Sequence, residues 1–152
     1  MAIMDSRVLF GENFDLDLEP STVLLTNQVD IGVAGRDIGN GETLYLNFVV
    51  TEAFTDGGDA ATLNLRLRSD STATIHATTS TGHFETGTIL KAALTLGAEF
   101  SYKIPMENNA PYEQFIGVQA VIATAGFDAG MITCWLGESS VGGWKPYAEG
   151  AN

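Results

Sequence analysis

Between Leu44 and Asp70 the sequence passes through two different strand patterns joined by one tight corner, and this run constrains what the rest of the chain can become. Leu44-Tyr45-Leu46-Asn47-Phe48-Val49-Val50 is almost unbroken leucine, aromatic and β-branched sequence. Such side chains suit a pleated and heavily buried surface, so a central strand is expected there. After the corner Phe54-Thr55-Asp56-Gly57-Gly58-Asp59 the chain resumes at Thr62. Leu63, Leu65 and Leu67 then share one face, and Thr62, Asn64, Arg66 and Arg68 the other. That alternation is the pattern of an antiparallel strand with one dry and one wet face.

Residues 121–136 repeat the arrangement: an apolar strand, a corner carrying Phe127 among Gly and Asp, and a second apolar strand ending in Cys134-Trp135-Leu136. Two such hairpins can face each other as halves of a sandwich. The echo has no fixed period, and any all-β chain repeats strand, turn and strand.

Elsewhere the signals are shorter. Phe14, Leu16 and Leu18 alternate with Asp15, Asp17 and Glu19, which predicts a strand with an acidic outer face, ended by Pro20. Short extended pieces are expected at 22–26 and 29–33, followed by a shaped loop at 35–41 dense in Gly, Asn and Asp. The small, hydroxylated stretch from Ser71 to Gly82 reads as a long exposed loop or a weakly packed edge. Further strands are expected at 88–90, 99–104 and 115–122. Eight to ten short strands with turn signals roughly every 8 to 12 residues point to an all-β, jelly-roll-like antiparallel sandwich. The expected division is an N-terminal arm or edge strand at 1–10, the sandwich at 11–137 and a Gly-rich tail at 138–152.

The chain's 152 residues fit one domain with a full core, and its single cysteine, Cys134, excludes an internal disulfide framework. Nineteen acids against seven Lys and Arg give a net charge of −12. A surface of that sign repels phosphate backbones, so no nucleic-acid partner is expected. The first residues carry neither a basic region nor an apolar one, and no apolar run approaches the roughly 20 residues of a membrane span. Synthesis in a cytoplasm-like compartment and no membrane partner are therefore expected.

Catalytic constellations are missing. His76 and His83 are the only histidines, read as isolated, solvated loop residues without metal-ligand spacing. Asp56-Gly57-Gly58-Asp59 and Asp15-Leu16-Asp17 have the composition of calcium ligands, but the first sits in a corner where Asp and Gly serve the backbone, and the second on a wet strand face. No enzymatic activity, cofactor or metal is expected. The aromatic residues carry more information. Trp135 reads as core or a hairpin contact. Trp144 and Tyr147 lie among glycines, either anchoring on a partner or folded back over the sandwich. Arg7, Arg36, Arg66 and Arg68 stand out by scarcity as candidates for pairing across a subunit interface, with wet-face roles favoured for Arg66 and Arg68.

Several segments, taken in order, resemble the capsid cement (decoration) proteins of short-tailed bacteriophages. They are residues 4–10, 29–32, 36–42 with the apolar strand that follows, Ala53-Phe54-Thr55 with Ala60-Ala61-Thr62-Leu63, and later Thr86-Gly87, Leu96-Gly97, Ile104-Pro105, 112–118 and Phe127-Asp128-Ala129-Gly130. The resemblance covers about residues 4–137, and the departures are the insert at 71–85 and the Trp144 tail. It implies a non-enzymatic jelly roll on the outer surface of the virion, made in the host cytoplasm. It also implies a homo-oligomer, dimer or trimer, that clamps adjacent major capsid protein subunits. The candidate interface residues are Arg7, Phe10, Arg36, Trp144 and Tyr147. The alternative expectation is a carbohydrate-binding sandwich that stacks sugars on Trp135, Trp144 and Tyr147.

Overall fold

The computed structural model describes residues 8–32, 43–105, 111–138 and 140. Its strands are β1 (Leu9–Asp15), β2 (Ser21–Leu24), β3 (Val29–Asp30), β4 (Tyr45–Thr55), β5 (Thr62–Asp70), β6 (Thr81–Glu85), β7 (Ile89–Leu90), β8 (Glu99–Lys103), β9 (Phe115–Ala123) and β10 (Ala129–Gly137). A 3-10 turn, Lys91–Ala93, follows β7. The two-residue period of β5 is realised without a slip: Leu63, Leu65 and Leu67 are fully buried, while Thr62, Asn64, Arg66 and Arg68 are partly exposed. Each such leucine contributes about 1.5–3 kcal/mol on leaving water.

All pairings are antiparallel, and the strands form two sheets. One has the order β1-β10-β4-β8, and the other β2-β9-β5-β6. In the second sheet β3 extends the β2 edge along β9, and β7 extends the β6 edge along β5. The pairs are nested, first strand with last (β1 with β10), then β2 with β9, β4 with β8, and β5 with β6. This is the pattern of a jelly roll, a long folded ribbon rolled into two layers. Between the layers lies one core that includes Phe10, Leu46, Phe48, Leu65, Val118, Ile132 and Cys134. Phe48 stacks on Phe100 across β4 and β8, with ring centroids 4.5 Å apart.

The two strand-corner-strand runs are not hairpins. β4 belongs to one sheet and β5 to the other, and the same holds for β9 and β10, so each corner carries the chain across the sandwich. The echo has a structural meaning all the same, because β4 pairs with β10 and β5 with β9 along nearly their whole lengths. The corners therefore lie side by side. The Asp128 N–H donates to the Thr55 carbonyl at 2.8 Å, and Phe54 meets Phe127 edge to face with centroids 4.7 Å apart.

Other expectations shift. β4 runs on through Thr55, so the turn begins at Asp56. The strand expected at 14–19 is displaced to Leu9–Asp15, which begins within the segment 1–10 read as arm or edge strand and runs into the sandwich. Register slips between Leu9 and Gly11 and between Gly11 and Phe14, with Asn13 at φ 47°, let β1 follow β10 although its polarity does not alternate.

The stretch at 71–80 is a pinned flap on the outer face of the second sheet. Ile75, 4% exposed, seats over Gly117, where a Cβ would come within 2.8 Å of Ile75 Cγ1. Glycine at 117 thus provides the recess that an otherwise hydroxylated loop needs to dock.

Candidate functional site

Polar side chains concentrate where the flap meets β5 and β6. Arg68 donates through Nη1 to the Ala77 carbonyl and through Nη2 to the Ser80 carbonyl at 3.0 Å, and so ties strand to flap. Asp70 closes the same loop from the other side. Its Oδ2 accepts from the Ser80 hydroxyl at 2.7 Å and its Oδ1 from the Thr72 N–H at 3.1 Å. These bonds, that of Ser80 first, hold the Asp70 carboxyl below its ordinary range. The Ser80 hydroxyl also accepts the His76 N–H at 2.6 Å.

His83 departs from expectation. In the β5–β6 ladder Leu67 faces Phe84 and Arg68 faces Gly82, so His83 is the extra residue of a bulge. Bulges re-aim side chains. The imidazole stacks on Tyr112 with centroids 4.0 Å apart, and its Nε2 lies 2.6 Å from the Ser69 hydroxyl. That hydroxyl also accepts the Glu113 N–H at 3.0 Å, and the Glu113 carboxylate accepts from Thr81 Oγ1 at 2.6 Å. Burial lowers the affinity of His83 for its proton, and the nearby Glu113 charge opposes this in part. His83 is therefore a structural residue on β6, not a solvated loop residue. His76 is exposed, as expected.

On the wet face of the same two strands Arg66 and Glu85 approach to 3.0 Å between Nε and Oε1, and the Asn64 amide donates to Glu85 Oε2 at 3.2 Å. A cavity of about 300 Å³ lies here, lined by Arg66, Arg68, Gly82, His83 and Glu85 among others. Arg66 and Arg68, scarce cations in the sequence, stand on the wet face expected for them. Nothing local in the sequence announces the bulge that shapes the cavity.

The remaining candidates are placed as follows. Phe10 is fully buried in the core, so its ring packs inside the sandwich and is not offered to a partner. Arg7, Arg36, Trp144 and Tyr147 lie outside the described residues. Trp135 is 7% exposed and alternates with the core residues Cys134 and Leu136, which puts it on the outer side of its sheet yet covered. A covered indole gives no platform for a sugar. The Asp56 carboxylate is occupied by backbone: it accepts the N–H groups of Gly58, Asp59 and Ala61, and the bond from Ala61 is the foremost cause of its lowered pKa. Asp15 accepts the Asp17 N–H at 2.9 Å. Among the described residues no group of three His, Cys, Asp or Glu is placed to hold a metal ion. Two large apolar side chains, Leu90 and Leu96, are 63% and 68% exposed beside the 3-10 turn.

The family model described as Bbp16 matches residues 20–136, which spans both sheets apart from β1 and the last residue of β10. No curated protein matches the chain.

Proposed function

This chain belongs to the Bbp16 family, a phage-related family, and from that premise we propose that it is a capsid cement protein. It binds the outer surface of the head and clamps adjacent major capsid protein subunits, acting by adhesion without chemistry. The observation that carries the reading is the pairing of phage kinship with a jelly roll whose central strands are locked to each other along their length. A clamp must be stiffer than the seam it holds. Here β4–β10 and β5–β9 form two long ladders with one core between them.

Sheet edges and the exposed Leu90 and Leu96 are the surfaces this reading assigns to neighbours, including further copies of the chain. A stable contact of ordinary size buries about 1,600 Å² in total, and repetition over a closed shell multiplies a modest affinity. A net charge of −12 suits the outside of a shell filled with DNA, since the same charge inside would oppose the genome.

The test is to add the purified protein to heads assembled from the major capsid protein alone. Stoichiometric co-sedimentation and a rise in the temperature at which the heads rupture are expected. Heads that never retain the protein at any ratio would refute the proposal.

A further inference from the structure

The Ser69 hydroxyl sits at a junction where its proton has one place to go. Ser69 is fully buried, so its proton must find an acceptor within the fold. Of the two groups bonded to its Oγ, the Glu113 N–H at 3.0 Å can only donate, which leaves His83 Nε2 at 2.6 Å as the acceptor. Nε2 is therefore the bare nitrogen of a neutral ring whose own proton is on Nδ1. An imidazolium has no lone pair to offer. Once protonated, Nε2 would donate to an oxygen that already accepts from Glu113, and the Ser69 proton would be left buried without a partner.

Two movements relieve that conflict. Either the imidazolium swings off Ser69 and gives up its stack on Tyr112, or the hydroxyl turns away and drops the Glu113 N–H. Both unfasten the same short segment, Tyr112-Glu113, just before β9. We propose that the Ser69–His83 bond is a proton-operated latch: with His83 neutral it fastens Tyr112 and Glu113 to the rim of β5 and β6, and with His83 protonated it loosens them while the sheets stay closed. The β5–β9 ladder, with Ser69 opposite Ile116 and Asp70 opposite Phe115, does not pass through the imidazole. The Thr81 hydroxyl keeps hold of the Glu113 carboxylate, so the segment loosens on a tether.

Among the described residues, Tyr112 and Glu113 face the ring from the segment before β9 and Ser69 from β5, while Arg66 and Arg68 of β5 and Glu85 of β6 line the cavity beside it. The two carboxylates and the Tyr112 ring face favour an imidazolium, and the two guanidinium groups oppose it. Burial and the Ser69 proton tip the balance to the neutral ring, so the latch opens in acid, below the ordinary 6.5. None of this rests on the cement reading.

The test follows the full chain by NMR between about pH 8 and about pH 5, on either side of the usual histidine range. At the upper pH the His83 Nε2 resonance should be that of a bare nitrogen and the Nδ1 resonance that of a protonated one. As His83 titrates, the exchange protection of the Glu113 amide, corrected for the intrinsic effect of pH, should fall at least about tenfold, the loss of one hydrogen bond. Core amides of β4 and β10 should lose much less. His83→Gln keeps an acceptor for the Ser69 proton in its amide oxygen and cannot titrate, so Glu113 protection should no longer depend on pH over this range. Ser69→Ala removes the hydroxyl that favours the neutral ring and should raise the His83 pKa. A protonated Nε2 at the upper pH, a lowered or unchanged His83 pKa in Ser69→Ala, wild-type Glu113 protection that ignores pH, or the same loss in His83→Gln overturns the proposal.

Discussion

Phe54 occupies the space that a side chain on Gly130 would need: a Cβ built there would lie 2.4 Å from Phe54 Cδ1, on a backbone at φ +150°. Phe54 lies at the end of the strand that enters the first passage across the sandwich and Gly130 near the start of the strand that leaves the second, so one ring and one missing side chain join the two corners. Gly130→Ala combines overpacking with backbone strain. A loss of about 1–3 kcal/mol in urea unfolding is expected. In the cycle with Phe54→Leu the double variant should be less destabilised than the sum of the singles, because the smaller side chain relieves the clash. Strict additivity would break the proposed contact.

Gly117 and Ile75 make the corresponding fit for the flap. Ile75→Ala should speed proteolytic cutting between residues 71 and 80 while the global unfolding midpoint moves much less, since Ile75 lies outside the main core. Gly117→Ala, with a Cβ at 2.8 Å from Ile75 Cγ1 and 3.2 Å from Leu24 Cδ1, should loosen the flap and also cost about 1–3 kcal/mol globally. Equal cutting rates in wild type and Ile75→Ala would show that the flap is held by its polar bonds alone.

Acid should weaken the protein in two stages. Burial keeps His83 below the ordinary 6.5, so the unfolded chain takes up that proton first. Its contribution is complete above pH 6.5 and is lost as the pH falls through the folded value. Asp56 and Asp70 are held below the ordinary 3.8 by hydrogen bonds, and their contributions fade only below that pH as their folded values are passed. Melting temperature against pH should therefore slope downward below 6.5 in wild type and flatten over the upper part of that range in His83→Gln. A slope that persists in the variant would assign the first stage to other groups.

Cys134 is fully buried, and burial pushes its thiol far above the usual range. A disulfide reagent should leave the native thiol unmodified at pH 8 and label it completely in denaturant, which makes the labelling rate in water a measure of opening. Immediate native labelling would contradict the packing of β10 against β4.

The sequence is legible where a residue's environment is decided locally. Leu63, Leu65 and Leu67 declare the inner face of β5 because its wet side is polar throughout. Phe54 and Phe127 declare two equivalent corners. The partner of each strand is not decided locally, since the corner at 56–61 fits a hairpin and a passage between sheets equally well. The alternation at Phe14, Leu16 and Leu18 misplaces β1 because the strand's register depends on bulges against β10 that no spacing within 9–19 encodes. His83 is illegible for the same reason: its burial follows from an extra residue relative to Arg68 and Leu67, visible only once the strands are aligned. Of the cavity, the wet-face placement of Arg66 and Arg68 is legible, whereas the bulge that shapes it is a property of three dimensions.

Nested pairing also governs how the protein is made. β4 and β5 find their long partners in β10 and β9, and among the described residues β1 pairs with β10 alone, so one layer cannot close until translation has passed β9 and the other until it has passed β10. Contacts this distant along the chain slow folding, and the nascent chain meanwhile leaves the Leu46, Phe48 and Leu65 strands uncovered on the ribosome. A cell producing many copies at once must shelter that interval, and brief co-expression of a chaperone should raise the soluble yield.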